Sequence, residues 1–254
     1  MHYQNTLFVG THIERFAQLG STNTYALDLL SKSLPPEGTV ITTDNQSDGR
    51  GQIGSKWESE AGQNLTLSII LYPNFLPIRQ QFLLTQCISL GVREFTAKFI
   101  DNSVKVKWPN DIYINQNKVS GILIQNTLSS SQILHSVIGI GININQTIFK
   151  SNPPNPTSFQ LETGQSYVLF ELQFELFKCI EQWYLQLRSN NHNHIQQNYL
   201  DHLYLFEEEA YYQRAADKSI FKGMISGITP TGKLVIEHDG RREMFANKEV
   251  EFIR

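Results

Sequence analysis

Three stretches of this chain gather lysine, arginine and glycine in ways that could handle an anion. The first is Gly49–Arg50–Gly51–Gln52–Ile53–Gly54–Ser55–Lys56–Trp57. Its three glycines give a backbone that can approach a ligand closely. Arg50 can donate a fork of hydrogen bonds to a carboxylate or phosphate, and Trp57 ends the stretch with an apolar ring. The second stretch, Val104–Lys105–Val106–Lys107–Trp108–Pro109–Asn110–Asp111, alternates valine with lysine, so both lysines share one face of a strand. Pro109 ends that strand and starts a turn. The turn carries Asn110, which can address a base edge or a ribose, and Asp111, which beside phosphates would need a cation such as Mg2+. An ordinary Pro–Asn–Asp surface turn reads the same way. In the third stretch Lys118 opens a strand, and Gly121 follows it. A hairpin would bring Lys118 towards the earlier lysines, and a lysine where two anions meet neutralises transition-state charge. An edge-strand lysine that guards against aggregation is the alternative. Gly139, Gly141 and Asn143 interrupt a later apolar strand, where glycine marks close approach of a ligand or another backbone.

Two familiar nucleotide motifs are only mimicked here. Gly49, Gly51 and Gly54 have dinucleotide-fingerprint spacing, but a strand follows instead of a helix, and no acid stands about 20 positions on. Gly49 and Gly54 have P-loop spacing, but Ser55–Lys56 reverses the required order and the phosphate-cradling helix is missing. His192 and His194 have no acidic or cysteine partner nearby, and there is no His-Glu-x-x-His or Gly-x-Ser-x-Gly element.

The elements that must position these residues follow from periodicity. Residues 11–17 read as a strand. Ser21 or Thr22 then caps a helix over 23–30, because a short hydroxyl accepts from free backbone N–H groups. Residues 38–43 are a β-branched strand, and 44–64 a polar loop too long for an ordinary turn. A strand over 65–72 and a helical stripe over 77–100 follow. Strand signals recur at 104–108, 112–115, 118–126 and 133–145, with a hairpin turn at Gln116–Asn117. After a proline-rich loop at 151–158, helices are expected over 168–188 and 192–204. From about residue 209 short strands and turns suggest a small β-barrel. The expected class is α+β: a mostly antiparallel sheet with packed helices, over 1–208, then a small all-β domain over 209–254.

Composition narrows the function. Among 254 residues, 40% are hydrophobic and 18% charged, and the net charge is −3. No charge run dominates, which argues against a nucleic-acid partner. No apolar run approaches the roughly 18 residues of a membrane span, and the N-terminus lacks the pattern of a signal peptide. Cys87 and Cys179 are neither a disulfide framework nor a zinc site. A soluble cytoplasmic protein is expected.

Taken together, the motifs resemble the biotin–protein ligase family. The resemblance rests on Ser21–Thr22–Asn23 before a helix, Gln46, Gly49–Arg50–Gly51…Gly54…Trp57, Lys107 to Asp111, Lys118 to Leu123, and Gly139 to Asn143. It implies a class II synthetase-like catalytic domain with an SH3-like C-terminal barrel. It also implies an ATP-dependent ligase that converts biotin to biotinyl-5′-AMP and passes it to a lysine of a biotin carboxyl carrier protein. Ser21, Thr22, Asn23 and Gln46 would bond the biotin ring, with Gly121 beside it, while Arg50, Gly51 and Gln52 close over it. Lys118 would hold the carboxylate; Lys118, Arg50 and Lys107 would be the catalytic cations. Gly49, Arg50, Trp57, Lys107, Asn110, Asp111 and Asn143 would form the ATP side, with Mg2+ arriving on ATP near Asp111 and no dedicated metal site. Gln52 and Ser55 stand where many members of the family carry further arginines. The first motif begins at Ser21, leaving no room for the DNA-binding domain of some relatives, so no such role is expected. An exposed sheet edge could pair two copies into a homodimer. The competing readings are a lipoate or octanoate ligase or transferase of similar fold, and a non-catalytic biotin-binding module.

Overall fold

The computed structural model describes residues 6–51, 56–150 and 155–253. Strands β1 (Ile13–Leu19), β2 (Val40–Gln46), β3 (Asn64–Leu71), β4 (Val104–Lys107), β5 (Asp111–Ile114), β6 (Asn117–Leu128) and β7 (Ile133–Asn143) form one sheet. Its order is β1-β2-β3-β7-β6-β5-β4. β1 and β2 run parallel and every other neighbouring pair is antiparallel. The parallel pair was not anticipated; helix α1 (Thr22–Lys32) is its crossover.

Alternation along the strands sorts the two faces. In β3, Leu65, Leu67, Ile69 and Leu71 enter the main core with α2 (Phe82–Ala97) and α4 (Leu169–Arg188). Ile70 turns the other way and packs with Ala26 of α1, Ile41 and Val137. Asn64, Thr66 and Ser68 share that second face. All of β3 is buried, so these three polar residues sit inside the protein, and that face carries the site.

A buried carboxylate ties the first described residues down. Glu181 of α4 accepts from the backbone N–H groups of Leu7 (2.6 Å), Phe8 (2.8 Å) and Val9 (2.9 Å). Glu181→Leu keeps the bulk and strands these donors. It is expected to cost about 3 kcal/mol, read from the urea midpoint.

Helices α3 (Phe159–Thr163) and α5 (His192–Asp201) follow β7 and α4 respectively. The second sheet begins at Glu209. Strands β8 (Glu209–Arg214), β9 (Ile220–Ile228), β10 (Leu234–His238), β11 (Arg241–Phe245) and β12 (Val250–Ile253) lie in the order β11-β10-β9-β8-β12. The module is all-β, as the turns and short strands imply. Among the described residues, however, β11 and β12 are the two edges of an open antiparallel sheet and do not close a barrel. α3 and β8 were not foreseen. Tyr212, Ile225, Leu234, Ile236 and Phe245 join the main core, and Trp108 Nε1 donates to Gly232 O at 2.9 Å. The second sheet therefore braces the turn that carries Asn110 and Asp111.

Candidate functional site

The site is built on two rows that cross the sheet. Ser68 of β3, Gly139 of β7 and Leu123 of β6 are in register. Two residues along, Thr66, Gly141, Gly121 and Asp111 form the next row. The glycines do mark close approach, but of protein side chains. A Cβ on Gly139 would lie 2.3 Å from Asn23 Oδ1, and one on Gly141 would lie 2.3 Å from Trp57 Cε2. Asn23 thus sits over the first row and the Trp57 indole over the second.

Helix α1 delivers the polar end. Ser21 is its N-cap, and its hydroxyl accepts from Thr24 N. Thr22 N donates to Gln46 Oε1 at 3.0 Å. The Ser68 hydroxyl lies 2.7 Å from Thr22 Oγ1 and 2.6 Å from Asn23 Oδ1. Asn23 Nδ2 donates to Gln125 Oε1 at 2.8 Å. Ser21, Thr22, Asn23 and Ser68 are all buried.

The glycine-rich stretch is pinched at its base. Trp57 N donates to Gly49 O at 3.0 Å, and Arg50 bridges to Lys56 in antiparallel fashion. A Cβ at Gly49 would lie 2.3 Å from Trp57 O, so glycine is required for that closure. Gln52, Gly54 and Ser55 lie outside the described residues. Beyond Trp57, a polar brace joins this stretch to the segment after β7. Gln146, 1% exposed, accepts from Glu60 N (3.0 Å) and Asn64 Nδ2 (2.5 Å). It donates to Ile148 O at 2.8 Å and Glu58 Oε1 at 3.3 Å.

A cavity of about 160 Å³ opens between these elements. Ser21, Thr22, Asn23 and Gln46 line one part, and Arg50, Gly51, Trp57, Asp111, Lys118 and Gly121 another; Leu67, Ile122, Leu123 and Ile140 add apolar surface. Arg50, Lys56 and Lys118 set three cations against the single acid Asp111 among the described lining residues. Lys118 Nζ lies 2.6 Å from Asp111 Oδ2, both half-buried. The backbone of Lys118 is clamped as well: its N–H donates to Asn155 O at 2.7 Å and its carbonyl accepts from Thr157 N at 2.9 Å.

Four expected residues stand apart from the lining: Gly49, which serves the closure onto Trp57, and Lys107, Asn110 and Asn143. Lys107 shares the row of Asp111, but its ammonium lies 4.9 Å from the ring centres of Tyr113 and Phe252, towards the second sheet. Asn110 Nδ2 donates to Ile122 O at 2.6 Å, which fixes the turn. Asn143 Nδ2 donates to Thr157 O at 2.9 Å; its buried Oδ1 has no partner, like the buried Trp57 Nε1. Tyr199 of α5 holds the same turn from beneath, donating to Pro109 O at 2.7 Å. Burial, then the charge of Asp111, pushes its phenol well above the usual tyrosine range, so it acts as a neutral donor.

Ser68, Gln125, Gln146 and Tyr199 belong to no motif in the sequence. The signal for Ser68 was present: polar Asn64, Thr66 and Ser68 alternate within an otherwise apolar strand. The others depend on contacts between distant segments.

The family model for the biotin/lipoate A/B protein ligase family matches residues 16–143. The chain belongs to that family. The matched span contains every candidate residue from Ser21 to Asn143. The bifunctional ligase/repressor BirA of Bacillus subtilis is 34% identical over 141 residues, covering 56% of this chain but only 43% of that relative. The chain thus spans less than half the length of that relative. The biotin–[acetyl-CoA-carboxylase] ligase of Paracoccus denitrificans is 26% identical over 245 residues, covering 93% of this chain and 98% of its own. The biotin protein ligase from Aquifex aeolicus, in complex with biotin and ATP, shares the fold with a TM-score of 0.79 at 23% identity, covering 96% of this chain and 99% of that one.

The transferase alternative that the resemblance implies would need a cysteine nucleophile. Cys87 and Cys179 are both buried away from the cavity. Burial pushes the Cys87 thiol far up and that of Cys179 up to about 11, against the lowering influence of Lys98. Neither is a thiolate near neutral pH. His194 stacks on Trp183 at 5.6 Å, and no cluster of three metal-ligating side chains occurs among the described residues. No helix there is long and apolar enough to cross a membrane.

Proposed function

We propose that this chain is a biotin–protein ligase that makes biotinyl-5′-AMP from biotin and ATP and transfers biotin to a lysine of a carboxylase carrier domain. The observation that carries this reading is one cavity with two chemically different parts. Hydroxyls and amides of Ser21, Thr22 and Gln46 suit a cyclic urea, and the Lys118 ammonium suits the carboxylate of the same ligand. The relatives named as biotin ligases point the same way.

In the first half-reaction a biotin carboxylate oxygen bonds to the α-phosphorus of ATP, and the bond to pyrophosphate breaks. Two anions must approach, so Lys118 leaves Asp111 for the biotin carboxylate, and Arg50 and Lys56 face the phosphates. Lys107 is a more remote cation, over Phe252. Mg2+ would come with the phosphates, and Asp111 is the lining acid able to share it, since Mg2+ is commonly held by one or two carboxylates plus phosphates. The orphan Asn143 Oδ1 and Trp57 Nε1 suit the donor and acceptor edges of adenine. In the second half-reaction the neutral amine of the acceptor lysine attacks the acyl carbon and AMP leaves. Arg50 and Gly51 cover the anhydride, which water would otherwise hydrolyse. Residues 1–208 carry the chemistry, and 209–254 brace the Lys107–Asp111 turn through Trp108 and Gly232. A cytoplasmic setting is part of this proposal, and the free thiols of Cys87 and Cys179 fit it.

ATP–pyrophosphate exchange tests this directly. Exchange is expected with biotin and not with lipoate or octanoate, whose rings or chains offer no urea to the polar end. Exchange with lipoate alone, or biotin binding without exchange, would overturn the reading.

A further inference from the structure

The polar part of the cavity contains more buried oxygens than protons to join them, and the protons can be placed by counting. Asn23 Nδ2 lies 3.4 Å from Leu123 O and 2.8 Å from Gln125 Oε1. A backbone carbonyl only accepts, so the amide nitrogen is on that side and Asn23 Oδ1 faces Ser68. Asn23 Oδ1 has no proton to give. Ser68 has one, and it must fill the 2.6 Å contact to Asn23. The 2.7 Å contact between Ser68 and Thr22 then takes the proton of Thr22. The reverse order would leave two bare acceptors 2.6 Å apart in a buried place.

One consequence reaches the cavity. Gln46 Oε1 accepts from Thr22 N at 3.0 Å, so it too is an oxygen, and Thr22 Oγ1 lies 3.3 Å from it. With the Thr22 proton committed to Ser68, two acceptors face each other and a ligand N–H set against them would satisfy both. Gln125, which is not among the residues lining the cavity, holds the far end of this chain through the shorter of the two Asn23 bonds.

We infer that Gln125 is a positioning residue: through the amide of Asn23 and the hydroxyl of Ser68 it fixes Thr22 as a hydrogen-bond acceptor, so that the site selects a ligand with a ring N–H. This rests on the biotin reading. A donor at position 125 would turn the Asn23 amide over. Ser68 would then donate to Thr22 and Thr22 to Gln46, so the Thr22 proton would lie between the two oxygens that otherwise receive the ligand N–H and would compete with it there.

The test is calorimetric titration of the wild type, Gln125→Glu and Gln125→Lys. The ligands are biotin and the two cyclic-carbamate analogues in which one ring N–H is replaced by oxygen. In the wild type, the analogue lacking the N–H that meets Thr22 is expected to bind at least about tenfold more weakly than biotin, because a buried acceptor loses its donor. Gln125→Glu keeps an acceptor and should hold every affinity within about threefold of wild type. Gln125→Lys, at a half-buried position, should weaken biotin at least about tenfold and shrink that analogue's penalty below about threefold. ATP binding should not change. An unchanged analogue penalty in Gln125→Lys, or equal losses in the Glu and Lys variants, overturns the inference while leaving the biotin reading intact. A wild type that binds no biotin overturns both. If Gln125→Lys loses cooperative unfolding, Gln125→Met serves: it removes the acceptor without adding a donor, and a penalty that stays at the wild-type value overturns the inference equally.

Discussion

Lys118→Ala is expected to lower biotin-dependent pyrophosphate exchange by roughly 10²–10³-fold, the usual cost of removing one donor aimed at developing charge. The geometry makes Lys118 hard to replace. Its backbone is clamped on both sides, to Asn155 and Thr157, and its side chain passes over Gly121, whose added Cβ would lie 3.6 Å from Lys118 Cε. The ammonium is therefore delivered to one place, beside Asp111. The pair is half-exposed, at 29% and 27%, and pairs near solvent stabilise a fold by less than about 1 kcal/mol. Exchanging Asp111 for a ligand carboxylate thus costs little, and losing the lysine should hardly move the unfolding midpoint. Lys118→Arg should not restore activity, because a planar fork on a longer stem cannot occupy the position of a compact ammonium. Normal exchange by Lys118→Ala, at an unchanged midpoint, would remove Lys118 from the chemistry.

Much of the site was legible because its residues lie on strands whose faces follow from alternation. Lys118, Asp111 and Gly121 come together through the β5–β6 hairpin, which a two-residue turn implies. The turn residues are Asn115 and Gln116, one position before the Gln116–Asn117 pair expected, and Asn117 already pairs with Ile114. Ser21 caps α1 as its hydroxyl suggests. What alternation cannot supply is what stands opposite. The glycines at 139 and 141 imply a close approach, yet only the fold shows that Asn23 and Trp57 make it. Lys105 and Lys107 share a face as read, but the direction of the Lys107 ammonium depends on Phe252, 145 residues further along the chain by difference of numbers, in a strand that pairs only within the second sheet. The seven-stranded sheet was expected to be mostly antiparallel; its one parallel pair comes from α1 returning the chain alongside β1, a choice of tertiary packing rather than of local pattern. The five strands of the second sheet stay open where a barrel is expected, for a similar reason. Short strands and turns announce an all-β module, but closure depends on whether the last strand meets β11, and β12 pairs with β8 instead.

Gly141→Ala should separate the role of Trp57 from that of the sheet beneath it. The added Cβ would meet three atoms of the indole, Cε2 at 2.3 Å, Nε1 at 2.5 Å and Cζ2 at 2.7 Å. A rigid ring cannot yield by a rotamer twitch, and the neighbouring Gly121 position is already tight at 3.1 Å. The indole must therefore leave, pulling on the Trp57 N–H bond to Gly49 that closes the base of the glycine-rich stretch. Exchange at subsaturating ATP is expected to fall at least about tenfold, since a misplacement of about 1 Å in a positioning group can cost about a hundredfold. Stability should not fall in step, because alanine in a strand interior is intrinsically no worse than glycine. The decisive comparison is with Trp57→Ala. If the glycine exists to seat the indole, the double variant Gly141→Ala/Trp57→Ala should exchange no more slowly than Trp57→Ala alone, a strong departure from additivity between touching residues. Additive losses would mean that the second row acts on the ligand directly. Gly141 would then belong to the ligand-contacting surface, and Trp57 would be only its neighbour.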